Sequence, residues 1–275
     1  MTSILRAVVT SLFGLGLGLG STANVAGEAQ SAASSAQPVP PVIAAGTQQA
    51  AQAMVSAQAI ATARSVVLVE PSTALTTRPD PRWDASFAAF TAADQARAPA
   101  AGGIVFVGSS SIRMWDGLES EFGAASNVIK RGFGGSRMQD CASNVERLVT
   151  PYKPRIVVVY AGDNDLAEGR SPTEVLDSVK QFVSEVREDL PDTRIAYISI
   201  KPSPSRQSLL PHMREANTLI QNYLKTVDNT DYIDIFTPML GGDGVPRPEL
   251  FGADKLHMNP SGYALWKNVI AAYLQ

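Results

Sequence analysis

The sequence predicts an α/β domain, a three-layer sandwich in which a five-stranded parallel sheet lies between two layers of helices. From about residue 81 onward, short apolar segments alternate with longer segments of helical periodicity. One apolar segment, IVVVY at 156–160, has no polar position, which is typical of a strand buried on both faces. Regular alternation of strand and helix favours parallel strands joined by right-handed crossovers.

The individual elements follow from the same patterns, taken in chain order. Trp83 is followed by Phe87 and Phe90 at helical spacing, which predicts an amphipathic helix at the start of the domain. The predicted strands are residues 104–107, 127–130, 155–160, 194–200 and 232–235. The predicted helices lie near residues 112–121, 137–149, 172–189, 208–226 and 261–273.

The first 80 residues differ in composition from the rest of the chain. Residues 1–23 carry Arg6, then an apolar run at 7–20, then small residues, which is the pattern of a secretory signal peptide. That run of about 14 residues is shorter than the roughly 20 needed to span a bilayer, so we expect an exported protein, periplasmic or secreted, without a stable membrane anchor. Residues 24–80 are rich in Ala, Gln, Ser and Pro, and predict a low-complexity tether before a folded domain at 81–275.

Charge and cysteine content argue against several classes of partner. The chain has 23 basic and 26 acidic residues and no dense basic stretch, so a nucleic-acid partner is not expected. Its single cysteine, Cys141, excludes an intramolecular disulfide and a cysteine-based metal cluster. We expect Cys141 to be a buried apolar residue and the protein to need neither metal nor cofactor.

Four short polar segments lie just after predicted strands or before the last helix. They are GSSSI at 108–112, GFGG at 132–135, GDND at 162–165 and DKLH at 254–257. Alone, the first could be a helix cap, the second a flexible turn and the third a polar turn. Because ligands of open α/β sheets bind at the carboxyl ends of the strands, all four segments are candidates for one shared site.

Hydrolysis by a serine requires a base, an acid that orients the base, and donors for the developing oxyanion. The chain contains two histidines, His212 and His257. Asp254 precedes His257 by three residues, a spacing that lets one loop hold both side chains in contact. His212 has no acid close by in sequence and is expected to be structural, so His257 is the candidate base.

In order and spacing, the four segments resemble the conserved blocks of the GDSL, or SGNH, hydrolase superfamily. The resemblance covers about residues 83–275 and is closest to the branch that includes the catalytic subunits of platelet-activating-factor acetylhydrolase, whose first block reads GSSSIR. It implies a flavodoxin-like fold with a five-stranded parallel sheet. It implies that Ser110 is the nucleophile, that Ser110, Gly135 and Asn164 form the oxyanion hole, and that Asp254 and His257 complete the triad. Two positions depart from the pattern, Ser109 in place of Asp and Lys130 in place of Asn, and neither supplies a triad or oxyanion group.

The expected function is therefore a metal-independent serine esterase that acts on small acyl esters, of small molecules or of glycans. Met114, Trp115 and Phe251 are candidates for the wall of a shallow acyl pocket, although ordinary helix packing explains Met114 and Trp115 equally well. One alternative is an O-acetyl esterase or acyltransferase that acts on cell-envelope or plant polysaccharide. Another is a non-catalytic carbohydrate-binding or acyl-binding module, which would have no need of a triad.

Overall fold

The computed structural model describes residues 80–122 and 127–275. These residues form one five-stranded sheet in the order β2-β1-β3-β4-β5, with every neighbouring pair parallel. The strands are β1 Ile104–Gly108, β2 Val128–Gly132, β3 Ile156–Tyr160, β4 Arg194–Ile198 and β5 Thr230–Ile233. The predicted fold class is thereby confirmed. The predicted signal peptide at 1–23 and all but the last residue of the predicted tether at 24–80 lie outside the described residues.

Helices cover both faces of the sheet. They are α1 Asp84–Ala96, α2 Ser110–Arg113, α3 Leu118–Glu121, α4 Met138–Ala142, α5 Val145–Leu148, α6 Asp163–Ala167, α7 Pro172–Asp189, α8 Leu210–Leu224 and α9 Pro260–Ile270. Helix α7 begins with a capping box, in which Ser171 Oγ accepts from the N–H of Glu174 and Glu174 Oε2 accepts from the N–H of Ser171.

Two apolar clusters fill the space between the layers. In β1, Val105 faces a cluster with Phe87 of α1 and Phe182 of α7, whereas the next residue, Phe106, faces a second cluster with Trp266 of α9. Successive side chains of a strand point to opposite faces, so a strand that is apolar at every position supplies both clusters. This arrangement is the predicted three-layer sandwich.

The predicted boundaries differ from the observed ones in several places. The helix predicted at 112–121 is two short helices, α2 and α3, because Gly117 adopts φ +77° between them. The helix predicted at 137–149 is likewise divided into α4 and α5 at Asn144, whose φ of −128° is not helical. Helix α6 was not predicted, since residues 163–165 are polar and favour a turn. The fifth strand begins two residues earlier than predicted, because its partly exposed start at Thr230 and Asp231 lacks an apolar pattern.

Strand β2 pairs with one edge of β1, and the chain then crosses over so that β3 pairs with the other edge. This position is the topological switch point, where open α/β sheets form a crevice at the carboxyl ends of their strands. The residues that follow β1 and β3 are Ser109 to Ser111 and Ala161 to Asp165. The fold therefore places two of the four polar segments at the crevice.

Candidate active site

Ser110 is placed by a tight connection between β1 and α2. A Cβ atom on Gly108 would lie 2.2 Å from the carbonyl oxygen of Tyr160, so only glycine allows this close approach of β1 to the end of β3. The N–H of Ser109 donates to that same carbonyl oxygen at 3.1 Å. Ser110 then begins α2, and its side chain emerges at the carboxyl edge of the sheet.

Ser110, His257 and Asp254 form a continuous chain of hydrogen bonds. The Oγ atom of Ser110 lies 2.9 Å from Nε2 of His257, and Nδ1 of His257 lies 2.6 Å from Oδ2 of Asp254. With the proton on Nδ1, the imidazole donates to the carboxylate and its Nε2 accepts from the serine hydroxyl. In this tautomer the geometry suits removal of the serine proton by His257.

The loop that carries Asp254 and His257 is fixed by its own backbone. Oδ1 of Asp254 accepts from the N–H groups of Leu256 at 3.0 Å and His257 at 2.9 Å. The hydrogen bond from His257, together with these two backbone bonds, lowers the pKa of Asp254 to about 2. Asp254 is therefore a carboxylate at neutral pH, and it can orient the imidazole and stabilise its protonated form.

Asn259 attaches this loop to the last helix. Its Oδ1 caps α9 by accepting from the N–H groups of Ser261 and Gly262, while its Nδ2 donates to the carbonyl oxygens of Glu249 and Phe251. One side chain thus holds both the start of α9 and the chain segment that leads into the loop.

The glycine-rich turn after β2 packs directly on the helix of Ser110. A Cβ atom on Gly132 would lie 2.2 Å from the backbone nitrogen of Arg113, and one on Gly134 would lie 2.7 Å from Nε of Arg113. Gly135 is exposed and adopts φ +79°, a conformation that favours glycine. The turn therefore lies against α2, the helix that begins with Ser110, and presents the exposed backbone of Gly135 beside it.

Asn164 lies at the start of α6, directly after the end of β3, and links that element to the glycine turn. Its Nδ2 donates to the carbonyl oxygen of Ser136, the residue after Gly135, at 3.0 Å. A carboxamide nitrogen carries two hydrogens, so one N–H remains available for another acceptor. The structure thus brings Gly135 and Asn164 together, and both supply N–H groups of the kind that stabilise an oxyanion.

Asp165, the next residue of α6, makes a contact with the start of α4. Its Oδ2 accepts from the N–H of Met138 at 2.9 Å, and its side chain is fully buried. Burial raises its pKa to about 6. Asp165 therefore ties the start of α4 to α6.

Lys201 and Arg206 carry no sequence signal of a role in the site, yet they contact Asp163 and Asn164. They lie in a segment rich in proline and serine, where no periodicity or motif distinguishes them. Arg206 donates to Oδ1 of Asn164, and Lys201 donates to Oδ2 of Asp163. These partners are 42 and 38 positions away in sequence, so only the tertiary fold reveals the contacts.

Two of the three residues expected to wall an acyl pocket belong to the core instead. Trp115 is fully buried among the rings of Phe106, Phe122, Tyr263 and Trp266. Phe251 is 6% exposed and lies in the same apolar cluster. The interpretation of Trp115 and Phe251 as pocket walls is corrected, because burying large aromatic surfaces stabilises the fold and leaves them no surface for substrate.

Met114 differs from these two residues, since 38% of its surface is exposed. It borders a cavity of about 420 Å³ that is also lined by Met258, Tyr263 and Lys267. Met114 directly follows α2, the helix of Ser110, and Met258 directly follows His257 in sequence. Met114 therefore keeps the surface that a substrate contact requires.

The described residues contain neither a cluster of metal-binding side chains nor a membrane-spanning helix. Between residues 80 and 275, without 123–126, no three His, Cys, Asp or Glu side chains are grouped so that they could hold a metal ion. In that same part of the chain, no helix has the length and hydropathy to cross a membrane. Cys141 is fully buried, and burial raises the pKa of its thiol.

Comparison with known proteins gives one family match and several similar structures. Residues 104–265 match the GDSL-like lipase/acylhydrolase family, while curated protein sequences give no match. A Streptococcus pneumonia structure named for platelet activating factor is 19% identical, with a TM-score of 0.62 over 70% of this chain and 93% of that one. A GDSL-like lipase from Bacteroides thetaiotaomicron is 19% identical, with a TM-score of 0.58 over 68% and 96%. An acetyl esterase mutant with acetate ion is 18% identical, with a TM-score of 0.51 over 63% and 96%. At these identities the similar structures show a shared fold.

Proposed function

The chain belongs to the GDSL-like lipase/acylhydrolase family, and on this premise we propose that it is a serine esterase that hydrolyses small acyl esters. The observation that carries the proposal is the hydrogen-bonded chain from Ser110 through His257 to Asp254. A serine hydroxyl is a weak nucleophile unless an adjacent base removes its proton, and a histidine held by a carboxylate is such a base.

In the acylation half of the reaction, Ser110 Oγ attacks the carbonyl carbon of the ester as its proton moves to Nε2 of His257. The carbonyl oxygen becomes an oxyanion in the tetrahedral intermediate. When the intermediate collapses, the bond to the alcohol oxygen breaks, and the protonated His257 gives its proton to that oxygen. The products of this half are the free alcohol and an acyl group on Ser110.

In the deacylation half, His257 removes a proton from a water molecule, whose oxygen attacks the acyl carbon. Collapse of the second tetrahedral intermediate returns the proton to Ser110 Oγ and releases the carboxylic acid. Asp254 stays ionised throughout and stabilises the imidazolium that forms in each half. We assign the stabilisation of both oxyanions to the N–H of Gly135 and the remaining N–H of Asn164.

The preference for small acyl groups is supported by the elements around the site. Long acyl chains need a deep apolar tunnel or a lid, which usually shows as a long insertion between core elements. In the described residues, α7 alone occupies most of the connection from β3 to β4, and the stretch 201–206 is polar and proline-rich. Trp115 and Phe251 are already used by the core, which leaves the exposed Met114 as a candidate contact for a short acyl group.

A labelling experiment combined with an acyl-chain series tests the proposal. A fluorophosphonate should label Ser110 covalently, and peptide mass spectrometry should find the label on no other serine. With p-nitrophenyl esters, kcat/KM should be largest for acyl groups of about two to four carbons. Absence of labelling would overturn the serine mechanism, whereas a maximum at about ten carbons or more would overturn only the substrate class. Transfer of the acetyl group to a sugar in preference to water would identify an acyltransferase.

We also propose that the protein is exported, because residues 1–23 have the pattern of a cleaved signal peptide. The signal peptide should be cleaved after Ala23 or, a few residues later, after Ala26. N-terminal sequencing of the purified protein tests this, and a retained Met1 in the membrane fraction would contradict it.

A further inference from the structure

Arg206 fixes the orientation of the Asn164 side chain. Its Nη2 donates to Oδ1 of Asn164 at 2.9 Å, while Nδ2 of Asn164 donates to the carbonyl oxygen of Ser136 at 3.0 Å. The two bonds hold opposite ends of the carboxamide, so the plane of the group cannot rotate without breaking one of them. The direction of the remaining N–H is therefore determined by Arg206 and Ser136.

Arg206 is itself held by a buried ion pair. Its Nη1 lies 3.0 Å from Oδ2 of Asp163, and the same oxygen accepts from Nζ of Lys201 at 2.7 Å. The side chains of Asp163 and Lys201 are 5% and 1% exposed. Burial acts to raise the pKa of Asp163, but the two neighbouring cations outweigh it and leave the pKa below its ordinary value. The carboxylate thus stays charged and anchors Arg206 beside Asn164.

The segment of Arg206 also contacts the loop of the acid and the base. The chain is kinked at Arg206, which has φ −117° inside the 3-10 helix Pro204–Leu209. The N–H of the preceding residue, Ser205, donates to the carbonyl oxygen of Lys255 at 3.0 Å. Lys255 lies between Asp254 and His257, so two adjacent residues connect the Asn164 side of the site with its acid–base side.

We propose that Arg206 is a positioning residue that orients and polarises Asn164 for stabilisation of the oxyanion. This inference rests on the proposed function. A hydrogen bond from a charged guanidinium to Oδ1 withdraws electron density from the carboxamide, which makes its N–H a stronger donor. Lys201 and Arg206 both face the carboxylate of Asp163, so the charged guanidinium is held against Asn164 by an ion pair.

Steady-state kinetics give the first test. Arg206→Met should lower kcat about tenfold or more with little change in KM, because the substrate binds but the oxyanion is less well stabilised. Arg206→Lys should recover part of the loss, since one ammonium can replace one of the two contacts. The matched control is Arg194→Met, which removes an ion pair with Asp231 at the opposite end of the sheet and should leave kcat unchanged. Thermal unfolding of each variant shows whether the fold is retained.

A double-mutant cycle separates positioning of Asn164 from a general structural role. If Arg206 acts through Asn164, Arg206→Met should have almost no further effect on kcat in an Asn164→Ala background. Equal losses in both backgrounds would overturn the proposal, because Arg206 would then act independently of Asn164.

A spectroscopic readout decides the inference without any turnover. The side-chain amide signals of Asn164, identified by their loss in Asn164→Ala, should shift in Arg206→Met and stay in place in Arg194→Met. Unmoved signals in Arg206→Met would overturn the positioning role even in an active enzyme. If the Asn164 signals shift in Arg206→Met but the wild-type protein neither labels with fluorophosphonate nor hydrolyses esters, the positioning of Asn164 is supported and the proposed function is contradicted.

Discussion

The Nε2 atom of His257 lies 2.9 Å from the Oγ atom of Ser110, although 147 positions separate the two residues in sequence. The serine follows the first strand of the sheet, whereas the histidine belongs to the loop before the last helix. Only the tertiary fold brings the two residues into contact.

Ser110→Ala should abolish ester hydrolysis, because no other hydroxyl is hydrogen-bonded to His257 in the described part of the chain. Ser109→Ala and Ser111→Ala are the matched controls. The hydroxyls of Ser109 and Ser111 are buried and have no hydrogen-bond partner among the described residues, so their removal should leave a substantial fraction of the activity. Initial rates with p-nitrophenyl acetate check all three variants. Loss of activity in Ser109→Ala or Ser111→Ala alone would move the nucleophile to that position.

His257→Ala should lower kcat on the order of 10⁴-fold, since it removes the only base in contact with Ser110 in residues 80–122 and 127–275. His212 is exposed near the start of α8, so His212→Ala should leave kcat unchanged. Both rates are measured at one pH near neutrality with the same ester. An active His257→Ala variant would contradict the assignment of the base.

Asn164→Ala should lower kcat on the order of 10²- to 10³-fold with little change in KM, as expected for loss of one oxyanion donor. The variant also loses the bond to the carbonyl oxygen of Ser136, so its thermal unfolding should be measured in parallel. A raised KM at constant kcat would instead make Asn164 a residue that binds the ground state of the substrate.

Asp165 should make stability depend on pH between about 4 and about 6. Its pKa is about 6 in the folded chain, against the ordinary value of 3.8 expected in the unfolded chain, so in this window the folded chain binds more protons than the unfolded one. Stability from this group is therefore present at low pH, falls as pH rises through the window, and stays level above it. The loss is about 3 kcal/mol at most, because each pKa unit corresponds to about 1.4 kcal/mol.

Asp165→Asn removes this ionisation and keeps an oxygen that can accept from the N–H of Met138. The Tm of the variant, relative to wild type, should rise between pH 4 and pH 6, by on the order of 5 °C. Thermal unfolding at several pH values within this range makes the measurement. Parallel Tm profiles of the two proteins would show that Asp165 does not titrate in the window.

The apolar strands were the part of the fold most readily predicted from sequence. The strand at Ile156–Tyr160 is buried at every position, and its burial produces the unbroken apolar pattern. The helix breaks at Gly117 and Asn144 were missed because each depends on the backbone conformation of one residue. Helix α6 was missed because it is short and polar.

At the candidate site, the contact between Asp254 and His257 was predictable because three residues separate them. The catalytic roles of Ser110, Gly135 and Asn164 stay predictions that came from the family resemblance. Trp115 and Phe251 are buried in the apolar cluster that α9 covers. The sequence around each residue does not show which face of the sheet α9 packs on. The contact of Arg206 with Asn164 joins an irregular segment to a helix across the site, and no periodic pattern marks it.

The position of Asp254 and His257 after the fifth strand has a consequence for biosynthesis. A nascent chain that has emerged as far as Leu250 contains all five strands and Ser110, but neither the base nor the acid. Helix α9, which follows the loop, packs Trp266 against Trp115 and Tyr160, and Asn259 joins the start of this helix to the segment before the loop. In the proposed mechanism hydrolysis needs both Asp254 and His257, so the onset of ester hydrolysis during synthesis would report that the loop before α9 has reached its place beside Ser110.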